Sequence, residues 1–174
     1  MLWAYIDESK ANDYILVMVV TKPKVTLELE KTLNSLRLPG QRRIHFIKES
    51  DQRRRMILDR IAKFDLQVYV ATSDKKVSKE ARQQTLSALA LRARSMKVHA
   101  LFIEKDETLI KFDSRLLGPI LQNQAHAWQT NYFLENSWAK PGLWAADAIA
   151  WALNRGGHYR AKIDHLIVEI ELAH

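Results

Sequence analysis

Cysteine is absent from the sequence, and glycine and proline are scarce, with 5 and 4 residues among 174. The lack of cysteine excludes disulfide bonds, zinc–thiolate sites and cysteine nucleophiles, and it suits a reducing compartment. No apolar run approaches the ~18 residues that span a bilayer, and no basic leader precedes the first apolar segment. We therefore expect a cytoplasmic protein outside the membrane, in which only carboxylates and histidines can bind a metal ion.

Hydrophobic residues make up 47% of the chain, which is enough to build a buried core. The length predicts a single domain over residues 1–174, because one core serves a chain of this size. The formal charge of +7 and the isoelectric point near 9.7 favour nucleic acid as a partner, since a positive field concentrates phosphate groups. A basic protein that binds no polyanion is the alternative.

Apolar segments of strand length alternate along the chain with amphipathic segments of helix length. The pattern predicts strands over residues 2–7, 14–20, 43–47, 66–71, 98–103, 132–134 and 166–172. Helices are predicted over residues 26–36, 51–64, 78–94, 109–128 with a break near Gly118 and Pro119, and 143–154. The first two strands form a hairpin, whereas the later alternation favours parallel pairing. We therefore expect an α/β fold with a mixed central sheet flanked by helices.

Asp147 is the single polar residue in the apolar segment Leu143–Leu153. A buried ionised carboxylate is costly unless it pairs with a cation, binds a metal ion or takes up a proton. A salt bridge to an arginine or a favourable position near a helix N-terminus explains Asp147 equally well. Its role therefore depends on which other acids lie nearby.

Two further acidic groups follow predicted strands. Asp7 and Glu8 end the first strand, and Glu104 and Asp106 follow the strand over residues 98–103. Sites of α/β proteins lie where strands end, so these acids are expected to gather with Asp147. Carboxylate oxygens are the ligands that Mg²⁺ and Mn²⁺ prefer, and paired ions of this kind support phosphodiester displacement. Simple strand termination by polar residues is the alternative reading.

Short motifs resemble those of one known family. They are Tyr5-Ile6-Asp7-Glu8-Ser9, His45-Phe46, and Ser137 followed by Gly142-Leu143-Trp144-Ala145-Ala146-Asp147-Ala148-Ile149-Ala150. In order and placement these motifs resemble the domain of unknown function family numbered thirty-eight hundred, whose members are regarded as ribonuclease H-like and predicted to be nucleases. The resemblance implies a ribonuclease H-like fold over nearly the whole chain.

The resemblance also implies roles for particular residues. Asp7 becomes the metal ligand of the first strand, Glu8 an auxiliary acid, Asp147 the ligand on the late helix, and Ser137 the small polar residue before it. The acid after the middle strand is either Glu104 or Asp106, since the family usually has Asp close to position 104. A further departure is Lys10, which stands where glycine is usual.

His45 and a set of basic residues complete the candidate site. Histidine titrates near neutral pH, so His45 can position water or protonate a leaving oxygen, although an ordinary strand histidine is the alternative. Basic clusters neutralise the phosphates of a nucleic-acid backbone, although a solvated helix face explains many of them. The candidates for nucleic-acid binding are Arg42, Arg43, Lys48, Arg53, Arg54, Arg155 and the polar Ser137.

Three functional hypotheses follow. The first is a Mg²⁺- or Mn²⁺-dependent nuclease whose metal ligands are Asp7, Asp147, and Glu104 or Asp106. The second is a non-catalytic module of the same fold that binds nucleic acid or protein. The third is a nuclease of the PIN type, which shares the early acid but has a different strand order. The alternating segment 167–172 predicts an edge strand that is open to pairing with another chain, so an oligomer is possible.

Overall fold

The computed structural model describes all residues from 1 to 174. Its centre is one six-stranded sheet with the strand order β5-β4-β1-β2-β3-β6. The strands are β1 (Trp3–Ser9), β2 (Tyr14–Thr21), β3 (Gln67–Ser73), β4 (Ala100–Glu104), β5 (Asn131–Glu135) and β6 (Ile167–Leu172). β2 pairs antiparallel with both of its neighbours, while the other strand pairs are parallel. β1 therefore lies inside the sheet, between β2 and β4.

Helices cover both faces of the sheet. They are α1 (Pro23–Ser35), α2 (Asp51–Ile61), α3 (Lys79–Ser95), α4 (Ile110–Leu121), α5 (Pro141–Arg155) and α6 (Gly157–Ala161). α5 packs on β1 and β2 and is joined on that face by α1 and α2, whereas α3 and α4 cover the opposite face. Successive residues of a strand point to opposite faces, so the four central strands β1 to β4 each contribute buried residues to two separate cores.

Local sequence signals account for where the helices begin. The side chains of Ser50 and Ser78 accept hydrogen bonds from the backbone N–H groups of Arg53 and Ala81, which caps α2 and α3. α1 and α5 instead begin at Pro23 and Pro141. Proline lacks a backbone N–H group, but at the first position of a helix this group has no acceptor within the helix, so no hydrogen bond is lost. The positions of the helices therefore follow from ordinary capping residues.

The expected α/β architecture with a mixed central sheet is confirmed, but two predicted elements differ. Residues 43–47 form no strand, because the N–H group of Phe46 donates to the carboxylate of Asp147 instead of a neighbouring strand. A 3₁₀ turn follows at Phe46–Lys48. The helix predicted over 109–128 ends at Leu121 and runs through Gly118 and Pro119 without the predicted break. Turns and bends follow it, and the side chains of Trp128 and Thr130 both donate to the carbonyl oxygen of Val98.

Two features bear on possible partners. β6 is an edge strand, as predicted, and its apolar residues Val168, Ile170 and Leu172 are exposed. None of the helices is both long and apolar enough to cross a membrane.

Candidate functional site

Asp7 and Glu104 stand side by side at the ends of two parallel strands. β1 and β4 pair in register up to Ile6 and Ile103, so the next residue on each strand is an acid. Tyr5 and Phe102, two residues earlier, belong to the core beneath α5, and strand alternation places both acids on this same face. Asp7 is only 6% exposed.

α5 brings Asp147 to these two acids. Gly142 lies against the ring of Tyr5, and a Cβ atom at position 142 would stand 2.4 Å from the ring carbons. The helix therefore approaches β1 more closely than a larger residue would allow. Asp147 follows on the same helix, and its Oδ2 accepts a hydrogen bond of 3.0 Å from the N–H group of Phe46. Three acids from three distant parts of the sequence thus face one another.

Burial and nearby negative charges raise the pKa values of Asp7 and Asp147. The pKa of Asp7 lies well above 3.8, first because of burial and then because of the hydrogen bond to Glu104 and the negative charges of Asp147 and Glu104. The pKa of Asp147 rises to about 6, again mainly through burial, with a contribution from Glu104. The Phe46 N–H group and the Arg43 guanidinium lower it only partly. The site therefore favours a bound proton or another positive charge.

The donor atoms fit a hard divalent cation such as Mg²⁺ or Mn²⁺, because all three acids offer carboxylate oxygens. Asp7 is buried and its raised pKa reflects a preference for positive charge, and the partly exposed Glu104 lies beside it. However, no three acidic or histidine side chains are close enough to form a ready-made metal-binding group. The residues thus fit the ion in chemistry, whereas side-chain rotation is needed to complete the ligand set.

The three acids lie in a cleft of about 530 Å³ at the end of the sheet. We call it the acidic cleft. Besides the acids, the polar residues that line it include Glu8, Lys10, Arg43, His45, Lys105 and Asp106. The Nη1 atom of Arg43 lies 3.7 Å from Oε1 of Glu104. The cleft therefore combines an acidic centre with basic residues at its margin.

Glu8 lines the cleft but points to the opposite face of the sheet from Asp7. Its Oε2 atom accepts hydrogen bonds from Tyr14 at 2.7 Å and from Arg82 at 3.1 Å, and its Oε1 lies 2.7 Å from Nζ of Lys10. Arg82 also forms a bidentate pair with the buried Asp113, at 2.8 and 2.7 Å. The carboxylate of Glu8 is thus already neutralised by its neighbours. The sequence signal for this separation is that Asp7 and Glu8 are neighbours in one strand, where successive side chains point to opposite faces.

Glu104 and Asp106 occupy different environments within the cleft. Oδ1 of Asp106 accepts hydrogen bonds from the N–H and hydroxyl groups of Thr108, at 2.8 and 2.6 Å. These bonds lower the pKa of Asp106. Of the two acids that the sequence left open, only Glu104 stands beside Asp7.

His45 lies in the acidic cleft directly before Phe46, whose N–H group binds Asp147. Burial lowers the pKa of His45 below 6.5, and the positive charges of Arg43 and Lys48 lower it further. The imidazole is therefore neutral at pH 7 and able to accept a proton.

Several predicted nucleic-acid contacts lie outside the residues that line the cleft. Arg53 binds Glu49 and the carbonyl oxygen of Leu36 at 2.7 Å, and Arg54 binds the carbonyl oxygens of Phe46 and Ile47. These arginines hold the loop before α2 in place. The remaining candidates Arg42, Lys48 and Arg155 are exposed, and the carbonyl oxygen of Ser137 accepts a hydrogen bond from Trp144. Arg53, Arg54 and Arg155 thus do not line the acidic cleft, and their role in nucleic-acid binding stays a prediction.

Two residues near the site were missed by the sequence reasoning. Glu135 ends β5 in register with Glu104, so the row of acids extends to the third parallel strand. Asn154 of α5 binds the hydroxyl group of Ser9 and the backbone of Asp13, and thereby fixes the β1–β2 hairpin. The signals were an acid after a short predicted strand and a polar residue within an apolar helix.

No protein-family model and no curated protein sequence matches the chain. Solved structures do match. A chain of the complex of PCNA with ribonuclease HII from Archaeoglobus fulgidus is 17% identical, with a TM-score of 0.56 over 95% of this chain and 79% of that one. The ribonuclease H2 from Pyrococcus horikoshii is 14% identical, with a TM-score of 0.55 over 95% and 75%. The fold is therefore ribonuclease H-like, which is the expected fold class.

Proposed function

We propose that the protein is a metal-dependent nuclease that hydrolyses phosphodiester bonds of DNA or RNA. The observation that carries this proposal is the convergence of Asp7, Glu104 and Asp147 in one cleft of a basic chain. These acids come from β1, β4 and α5, and a buried group of like charges is unfavourable unless it serves a ligand. The structural similarity to ribonuclease HII and ribonuclease H2 supports the same reading.

Asp7, Glu104 and Asp147 are the residues that would hold Mg²⁺ or Mn²⁺. Such an ion supplies charge neutralisation at the phosphate and makes water a better nucleophile at neutral pH. Arg43, Lys10 and Lys105 line the same cleft and provide positive charge for the phosphates that flank the reacting bond.

His45 is the candidate proton acceptor. It lines the cleft together with Asp147 and Glu104, and its lowered pKa keeps the imidazole neutral at pH 7. A neutral histidine beside the acids can take a proton from the attacking water. Glu8 serves another purpose in this scheme, because Arg82, Tyr14 and Lys10 bind its carboxylate and fix the end of β1.

The test combines metal binding with cleavage. Calorimetry with Mn²⁺ is carried out on the wild type and on Asp7→Asn, Asp147→Asn and Asp106→Asn, and each protein is then incubated with mixed DNA and RNA. We expect the first two substitutions to abolish both binding and cleavage. Asp106→Asn is the matched control, because its carboxylate is held by Thr108, and it should retain both. Cleavage that survives both Asp7→Asn and Asp147→Asn would contradict the proposal.

A non-catalytic binding module of the same fold is the second candidate. The observation that favours it is that no three acidic or histidine side chains form a ready-made metal-binding group. Such a module would bind nucleic acid in a salt-sensitive manner, with the same affinity in EDTA and in Mn²⁺, and would leave the nucleic acid intact.

A further inference from the structure

Three aromatic rings form a row across the strands that carry the acids. Tyr5 of β1 stacks on Phe102 of β4 with ring centroids 5.3 Å apart, and Phe102 stacks on Phe133 of β5 at the same distance. The interplanar angles are 19° and 20°, so the rings are nearly parallel. We call Tyr5, Phe102 and Phe133 the aromatic row.

The aromatic row ends at the edge of the sheet. β5 is the outermost strand on this side, so one side of the Phe133 ring contacts Phe102 and no further strand covers the other. Phe133 is 43% exposed. A large aromatic side chain at this position gains only part of the stabilisation that full burial provides. Its outer surface is therefore available to another planar group.

Positive charge lies over the middle ring of the row, and a second exposed aromatic side chain follows β5 in the chain. Lys140, at the start of α5, places its Nζ atom 4.8 Å from the Phe102 ring centroid. Trp138, in the loop between β5 and α5, is 44% exposed and carries the guanidinium of Arg42 at 4.0 Å from a ring centroid. Aromatic faces that alternate with lysine and arginine suit the bases and phosphates of a single-stranded nucleic acid.

We propose that an unpaired base of the substrate stacks on Phe133, with Lys140 available to a neighbouring phosphate. This inference rests on the proposed function and names its substrate class as nucleic acid that is single-stranded at the β5 edge. A base in a duplex keeps both faces covered by its neighbours, whereas an unpaired base offers a free face to an aromatic ring. A protein partner is the other occupant that such a surface can take, and the test separates the two.

The position of the aromatic row relative to the acids supports this substrate class. Phe102 and Glu104 lie on the same strand and the same face, as do Phe133 and Glu135. Two residues of a strand span roughly 7 Å, so the acids begin about that distance from the rings. A nucleotide stacked on Phe133 therefore lies two strand residues away from the row of acids that Glu104 and Glu135 form.

The test measures binding without cleavage. Fluorescein-labelled oligo(dT) and oligo(U) of about 12 nucleotides, within the span that single-strand binding folds contact, are titrated in EDTA and followed by anisotropy. Phe133→Leu keeps an apolar side chain and should weaken single-strand binding about tenfold, while Phe133→Tyr restores it. Binding of a duplex of the same length should change by less than about twofold, because a duplex exposes no base face. Leu172→Ala, at the opposite edge of the sheet, is the matched control.

A second probe locates the stack directly. An oligonucleotide with one 2-aminopurine should lose fluorescence on binding to the wild type and keep it with Phe133→Leu, since stacking quenches this base. Circular dichroism melting confirms that both variants fold.

The possible results distinguish this inference from the proposed function. A wild type that cleaves nucleic acid but binds single strands no better than Phe133→Leu overturns the stacking surface and leaves the nuclease proposal standing. If single-strand binding depends on Phe133 but no cleavage occurs, the stacking surface is supported and the nuclease proposal is contradicted. If the wild type binds neither oligonucleotide, the surface is not a nucleic-acid site, and a protein partner becomes its expected occupant.

Discussion

Gly142 and Tyr5 are in such close contact that a Cβ atom at position 142 would lie 2.4 Å from the carbon atoms of the tyrosine ring. Tyr5 is fully buried and stacks on Phe102, so its ring has no room to move away. The contact sets how closely α5 approaches β1, and Asp147 is carried by the same helix. The geometry of the acids thus depends on a glycine that bears no functional group.

Gly142→Ala should destabilise the protein by about 1 to 3 kcal/mol, the usual cost of adding volume to a packed core. This loss exceeds the gain of up to about 1 kcal/mol that alanine brings to a helix. Urea unfolding measures the difference. Gly118→Ala is the control, because nothing lies within 4 Å of a Cβ atom there. Equal stability of the two variants would contradict the close approach of α5.

Asp147→Asn should stabilise the metal-free protein at neutral pH. The pKa of Asp147 rises from its ordinary 3.8 to about 6 on folding, so the folded state holds an extra proton between these pH values. The free energy of unfolding of the wild type therefore falls as the pH rises through this window. An asparagine side chain still accepts the hydrogen bond from the Phe46 N–H group but carries no charge. We therefore expect the free energy of unfolding to rise by on the order of 2 kcal/mol at pH 7.

Urea unfolding at several pH values in EDTA measures this effect. Asp59→Asn serves as the control, since Asp59 is exposed and lies outside the cleft. The two variants should differ at pH 7 and converge near pH 4, where Asp147 of the wild type is protonated. A wild type that gains stability between pH 4 and pH 7 relative to Asp147→Asn would show that the folded state favours the charged form.

Much of the fold could be predicted because its strands are strongly apolar and its helices are amphipathic. Asp7 and Asp147 could be singled out for the same reason, since one ends an apolar strand and the other lies inside an apolar helix, whereas the sequence left Glu104 and Asp106 as alternatives. Their convergence was expected from the topology of α/β sheets. The sequence pattern therefore carried information about the site as well as the fold.

Long-range contacts account for what the sequence did not reveal. The segment around His45 alternates like a strand, yet the N–H group of Phe46 binds Asp147, 101 positions away in sequence. Arg53 and Arg54 resembled a nucleic-acid contact because their local acceptors, including backbone carbonyl oxygens, are invisible in a sequence. Hydrogen-bond partners of this kind are set by the tertiary structure and not by the local propensity of the sequence.

The effects of substituting Arg82 and Asp113 on the free energy of unfolding should be strongly coupled, because the two residues form a buried ion pair. Asp113 is 1% exposed and Arg82 is 5% exposed, so Arg82→Met leaves a buried carboxylate without a partner, at a cost of about 3 to 5 kcal/mol. The double substitution Arg82→Met and Asp113→Leu should recover much of this loss, because the buried Asp113 carboxylate is removed with its partner, while Glu8 keeps its contacts with Lys10 and Tyr14. A double-mutant cycle of unfolding free energies measures the coupling. Additive effects of the two substitutions would show that the pair is not desolvated.

His45→Gln should reduce cleavage by a factor of about 10² to 10⁴, the usual contribution of a positioned acid or base. The pKa of His45 is lowered from 6.5 by burial and by Arg43 and Lys48, so the imidazole becomes protonated only as the pH falls below that value. Cleavage by the wild type should therefore decline on the acidic side, even at Mn²⁺ concentrations that saturate the acids. His45→Gln should lack this decline. His126→Gln is the control, because His126 contacts Arg94 outside the cleft. Unchanged turnover in His45→Gln would assign the proton transfer to solvent or to another residue.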